Sequence, residues 1–62
     1  MSETERIMLE CRYYLSLEKS FHEIARYLHE DDQTVFEDLS IKLSKIDSSL
    51  YQKIQKKLNF YK

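Results

Sequence analysis

Apolar side chains recur every three to four residues from one end of this chain to the other, and short polar runs cut the pattern into four segments. That period belongs to the α-helix, in which positions i, i+3, i+4 and i+7 share a face. The first segment, about 3–17, opens on Ser2-Glu3-Thr4-Glu5. This is a capping-box pattern: Ser2 accepts from the backbone at Glu5 and the Glu5 carboxylate reaches back. At 100° per residue, Ile7, Met8, Cys11, Tyr14 and Leu15 fall on one arc and are expected to face the core. Leu9, Tyr13 and Leu17 form a second arc. Either a later helix or a partner must cover it, and a domain this small needs every helix to contribute core, which favours the fourth helix as the cover.

Ser20-Phe21-His22-Glu23 repeats the capping signature and opens a short helix over about 21–28. Phe21, Ile24, Ala25 and Leu28 make a single buried stripe, with Ala25 small enough for another helix to approach closely. The run His29-Glu30-Asp31-Asp32 breaks the pattern, and either aspartate can cap the next helix. A third helix over about 32–44 turns Val35, Leu39 and Leu43 inward with Phe36 at the edge. Gln33, Glu37 and Ser40 point outward, flanked by Thr34, Asp38 and Ile41. Asp47 is placed to cap a fourth helix over about 48–60, whose core arc is Leu50, Tyr51, Ile54, Leu58 and Tyr61. Its opposite arc carries Lys53, Lys56 and Lys57, with Phe60 among them. The pattern predicts one all-α domain spanning 1–62, a compact four-helix bundle.

Composition narrows the functions open to such a domain. Sixty-two residues with no glycine and no proline leave no Gly-rich phosphate loop and no room for a large cofactor pocket, so neither an enzyme, a cofactor nor a small-molecule substrate is expected. The lone Cys11 lies on the core arc and reads as a buried structural thiol. His22 and His29 form no metal-ligand spacing and read as surface residues. The polar first residues are unlike an apolar signal segment, and no apolar run approaches membrane-spanning length, so the expectation is a cytoplasmic protein without a membrane partner. The net charge of −1 hides a gradient, −4 over residues 1–32 and +3 over 33–62, so an electrostatic partner would meet one part of the surface.

A short helix with Ile24-Ala25 and Leu28, a polar turn, and a helix with Val35 and Leu39 on its inner face is the pattern of a helix-turn-helix, whose second helix enters the DNA major groove. Nearly the whole chain resembles the stage III sporulation protein D family of small bacterial helix-turn-helix transcription regulators. The matching residues are Glu5-Arg6, Tyr13, Ile24-Ala25-Arg26, Thr34-Val35, Asp38-Leu39, Leu43, Ile46, Leu50, the Leu58 region and Tyr61-Lys62. The resemblance implies DNA binding in transcription, with the helix at 32–44 as recognition helix. The chain departs from the family at the turn. His29 stands where glycine is usual, Glu30 where an apolar residue is usual, and Asp31 where serine caps the recognition helix. Asp32 and Glu37 occupy usually basic positions. The family's basic C-terminal extension has no counterpart in these residues.

Two functions are expected to compete. In the first, a DNA-binding regulator, Gln33, Thr34, Phe36, Glu37 and Ser40 face the bases, and Lys42, Lys45, Lys53, Lys56 and Lys57 hold phosphates. In the second, a protein-interaction module or inhibitor on the same frame, the acidic surface of Glu30, Asp31, Asp32 and Glu37 meets a basic protein. Five carboxylates between Glu30 and Asp38, with no lysine or arginine among them, oppose the approach of DNA. The protein is expected to be a monomer or a homodimer, the latter if Leu9, Tyr13 and Leu17 meet a second copy.

Overall fold

A computed structural model describes residues 2–60, with side chains through Asn59. Four helices are found among the described residues, and no strand. They are α1 (Glu3–Leu15), α2 (Phe21–Leu28), α3, unbroken through 32–46, and α4 (Ser48–Phe60). The chain is the all-α bundle that its periodicity predicts, and α2, a three-residue turn and α3 form the helix-turn-helix corner. Tyr61, expected on the core arc, the closing Tyr61-Lys62 and the Phe60 side chain lie outside the described residues.

The helix starts obey the local signals. Ser2 accepts from the Glu5 N–H at 3.2 Å, while its hydroxyl, rather than its backbone, donates to the Glu5 carboxylate. The box at Ser20 is complete: Glu23 N–H reaches Ser20 Oγ at 3.2 Å and Ser20 N–H reaches Glu23 Oε1 at 3.4 Å. Asp47 caps α4 through Leu50 N–H at 3.1 Å. Asp31 precedes α3 in extended conformation but makes no side-chain cap bond, contrary to expectation. The entry is held by its backbone carbonyl, which accepts from Val35 N–H at 3.2 Å.

Two helix ends demand left-handed backbone in a chain without glycine. His29 (φ 56°) closes α2, its N–H bonding to the Arg26 carbonyl at 3.4 Å and the Glu30 N–H to the Ala25 carbonyl at 2.8 Å. This pair of bonds is a Schellman motif, in which glycine normally sits at the left-handed position. The other end is at Glu18 (φ 54°), where α1 stops two residues short of the expected Leu17. Ser16 and Leu17 N–H groups converge on the Arg12 carbonyl and Lys19 N–H reaches back to Tyr13 at 3.0 Å, so the backbone widens out of the α pattern there.

The core comprises Ile7, Cys11 and Tyr14 of α1, Ile24 and Ala25 of α2, Val35, Leu39 and Leu43 of α3, and Ile54 of α4, with Leu15, Phe21, Leu28, Leu50, Tyr51 and Leu58 packed around it. Each large apolar side chain so buried contributes roughly 1.5–3 kcal/mol. Within α3, Asp38–Lys42 is a π-helical turn. Leu39 within it and Leu43 just after it are both fully buried.

Several expected faces are corrected. Met8 is 39% exposed because the buried arc of α1 is centred between Ile7, Glu10 and Tyr14, which rotates Met8 outward. The second arc of α1 is only partly covered: Leu9 is half-buried and shares a groove with Leu50 of α4. Tyr13 packs on the Tyr27 ring of α2 at 5.8 Å between centroids, and Leu17 stays 54% exposed. Phe36 does stand at the edge as expected, 47% exposed, and meets Phe21 edge-on at 6.1 Å.

A non-glycine residue in the left-handed region costs about 1–2 kcal/mol, part of which glycine returns through unfolded-state entropy. His29→Gly is expected to stabilise the domain by about 0.5–1 kcal/mol, raising Tm by several degrees. Thermal unfolding monitored by circular dichroism checks this, and an unchanged or lowered Tm would mean that the His29 side chain stabilises the turn.

Candidate functional site

The inner wall of the helix-turn-helix carries charge, which its apolar pattern does not suggest. Arg6 of α1 grips Asp38 of α3 with two hydrogen bonds, Nε to Oδ2 at 3.0 Å and Nη2 to Oδ1 at 3.2 Å. Asp38 is fully buried and the Arg6 side chain only 21% exposed, so this bidentate pair works largely out of water. Glu10, one turn along α1, lies 3.7 Å from Arg6 Nε, and Glu30 from the turn lies 3.9 Å from Nη1. Lys42, on the next turn of α3, stands 3.8 Å from Asp38 and 3.5 Å from Glu3, tying the start of α1 to the π turn. The bond to Asp38, more than the charges of Glu10 and Glu30, raises the Arg6 pKa above its ordinary value.

Glu10 is the outlier in this cluster. It is fully buried, and neither carboxylate oxygen has a hydrogen-bond donor. Burial is the largest cause raising its pKa to about 9. Asp38 adds to this, both as an acceptor for the protonated form and through its charge, and Arg6 offsets only part. Glu10 therefore sits in the fold as a neutral acid at pH 7. The same burial pushes the Cys11 thiol up to about 11, leaving it unreactive.

The outward face of α3 is placed as expected, though its members differ in freedom. Gln33 is exposed and donates to Glu37 Oε1 at 3.0 Å. Thr34 and Ser40 are half-buried, Phe36 is open, and Ile41 is 57% exposed beside them. Of the five carboxylates from Glu30 to Asp38, two are drawn to Arg6, Asp38 wholly and Glu30 in part. Asp32 pairs with His22 Nδ1 at 2.9 Å across the exposed mouth of the corner. Asp31, Asp32 and Glu37 remain as the acidic surface.

The lysines divide in the same way. Lys45, Lys53 and Lys56 are exposed. Lys57, expected to hold a phosphate, is half-buried instead: its ammonium donates to the Tyr14 carbonyl at the end of α1 and lies 4.3 Å from the centroid of the Tyr14 ring. It stands three residues after Ile54 and adjoins Leu58, which turns its stem inward and leaves its head to close α1. Lys42 is likewise engaged by Asp38 and Glu3.

Sequence reasoning missed Glu10 and the burial of Asp38. The signal was present, since Glu10 stands three residues after Ile7 and four before Tyr14, and Asp38 three after Val35. No protein-family model, curated protein or solved structure matches this chain. Among the described residues, no helix is long and apolar enough to cross a membrane.

Because Glu10 binds its proton more tightly folded than unfolded, folding takes up a proton between the unfolded carboxyl pKa, near 4, and about 9. Its contribution is complete below that window and is lost as pH rises through it. The expected outcome is a Tm that falls progressively from pH 5 to pH 9, by about 5 °C or more, and a much flatter profile for Glu10→Gln. Equal slopes in the two proteins would show that Glu10 is ionised in the fold.

Proposed function

We propose that this chain is a DNA-binding regulator of the helix-turn-helix type, similar to the stage III sporulation protein D family, with α3 as the recognition helix. The observation that carries the reading is the Arg6–Asp38 pair. It takes the innermost carboxylate of α3 out of the surface and holds the helix with its Gln33, Phe36, Glu37 and Ser40 side directed away from the core. Gln33 has the donor and acceptor for an adenine edge, and Glu37 can accept from a cytosine amino group. Lys45, Lys53 and Lys56 supply the phosphate contacts.

With Lys42 and Lys57 engaged, three of the five candidate lysines are left for phosphates, a weak electrostatic anchor. Each phosphate neutralised adds about −0.9 to the dependence of log K on log salt, so a slope of about −3 is expected, rather than the steeper one that five lysines would give. Fluorescence anisotropy with a mixed-sequence duplex, between about 20 and 200 mM salt, measures it. Binding with that slope, abolished by Lys53→Glu with Lys56→Glu, is the expected result. Absence of binding at the lowest salt, or a salt-independent signal, would remove the DNA reading.

The exposed Phe36 and Ile41, on the same helix as Asp32 and Glu37, favour a second reading, in which α3 meets a basic protein surface. An aromatic anchor within a polar rim is the usual anatomy of a protein interface. In that case Phe36→Ala, rather than the lysine variants, would abolish a complex isolated from the host cell.

A further inference from the structure

The flank of α1 at the edge of the core forms the wall of an open, mostly apolar groove, completed by Leu50 of α4. Met8, Leu9 and Leu15 line it, and Glu5 and Arg12 border it. Met8 is 39% exposed, whereas Leu9, Leu15 and Leu50 are half-buried. Nothing in the Arg6 cluster or on the α3 face uses these residues. Glu5 and Arg12 are both exposed, and neither joins an ion pair among the described residues.

Their spacing is informative. Seven residues apart, Glu5 and Arg12 lie almost above one another, separated by about 10 Å along the axis, with Met8 between them on the same seam. A two-fold axis through the midpoint of Met8 and Leu9 turns α1 antiparallel to its own copy. Glu5 of each chain then meets Arg12 of the other, and Met8 meets Leu9. A surface whose opposite charges are disposed symmetrically about an apolar centre is self-complementary, which is what an isologous interface requires.

We infer that this chain associates with a second copy of itself through the α1 groove, antiparallel, with two reciprocal Glu5–Arg12 ion pairs around a Met8–Leu9 centre. A helix of 13 residues offers a seam of about 20 Å. That is smaller than a standard interface, so the dimer is a weak one, populated at tens to hundreds of micromolar. It is independent of what α3 binds.

Sedimentation equilibrium at about 20–500 µM tests it. The expected result is a rise from 7.6 kDa towards twice that mass with concentration. Arg12→Glu places four carboxylates at the seam and should weaken association at least tenfold. Met8→Lys should do the same by charging the centre, and Glu5→Arg combined with Arg12→Glu should restore the dimer. Glu5→Arg alone also removes a contact of the Ser2 cap, so each variant is checked for helicity by circular dichroism, and Arg12→Glu and Met8→Lys carry the test if the Glu5 variants fail to fold. A single 7.6 kDa species across the range, or a dimer indifferent to Arg12→Glu and Met8→Lys, overturns the inference.

Discussion

Arg6 is a guanidinium of the first helix held to the third by Asp38, a carboxylate with almost no access to water, and the placement of α3 depends on it. Asp38 could not be buried without a cation, because an uncompensated carboxylate in the interior is among the most costly defects a fold can hold. Arg6 supplies that cation from 32 positions away, with the fork geometry that matches a carboxylate face to face. The bond crosses from the first helix to the middle of the third. It thus fixes both how α3 rotates and how far it slides, which apolar packing of Val35, Leu39 and Leu43 alone would define less sharply. A domain of this size has a total stability of only about 3–9 kcal/mol, comparable with the ~3–5 kcal/mol lost when one member of a buried pair is removed.

The same cluster explains why the surface differs from the linear charge pattern. A run of five carboxylates from Glu30 to Asp38 reads as a uniformly acidic helix, but the fold turns Asp38 inward, leans Glu30 on Arg6 and sets Asp32 against His22. Five lysines read as a basic patch, and the fold engages Lys42 and Lys57 in holding helices together. Both the repulsion towards DNA and the attraction are smaller than the residue counts suggest. Glu10 is the exception within the cluster: no donor reaches its oxygens, and neutrality is how the fold accommodates it.

What could be read from the sequence was local. The Ser20 box, the Asp47 cap and the Phe21, Ile24, Ala25 and Leu28 stripe depend on residues three or four positions apart, and the structure has them where the spacing puts them. The left-handed His29 was indicated only through the family resemblance, which has glycine at that position. Glu18 gave no such sign, since its conformation answers to how α1 hands over to α2. Asp38, Glu10 and Lys57 escape a linear reading for one reason. A charged side chain ordinarily signals solvent, yet each of these lies at helical spacing from buried residues, and each is accommodated by a group distant in sequence or by protonation. The residues Glu5-Arg6 and Asp38-Leu39, prominent in the family resemblance, include the two ends of this lock and a core leucine. They speak for the frame rather than for the surface that reads a partner.

The most direct measurement is a double-mutant cycle on the pair, with Arg6→Met, Asp38→Leu and the two combined, by chemical denaturation in sucrose so that weakened variants remain folded. If the pair positions α3, each single change strands the other charge and costs about 3–5 kcal/mol, while the combined change, with two apolar side chains of similar bulk, is more stable than either. Losses that simply add, leaving the combined variant the least stable, would contradict the account.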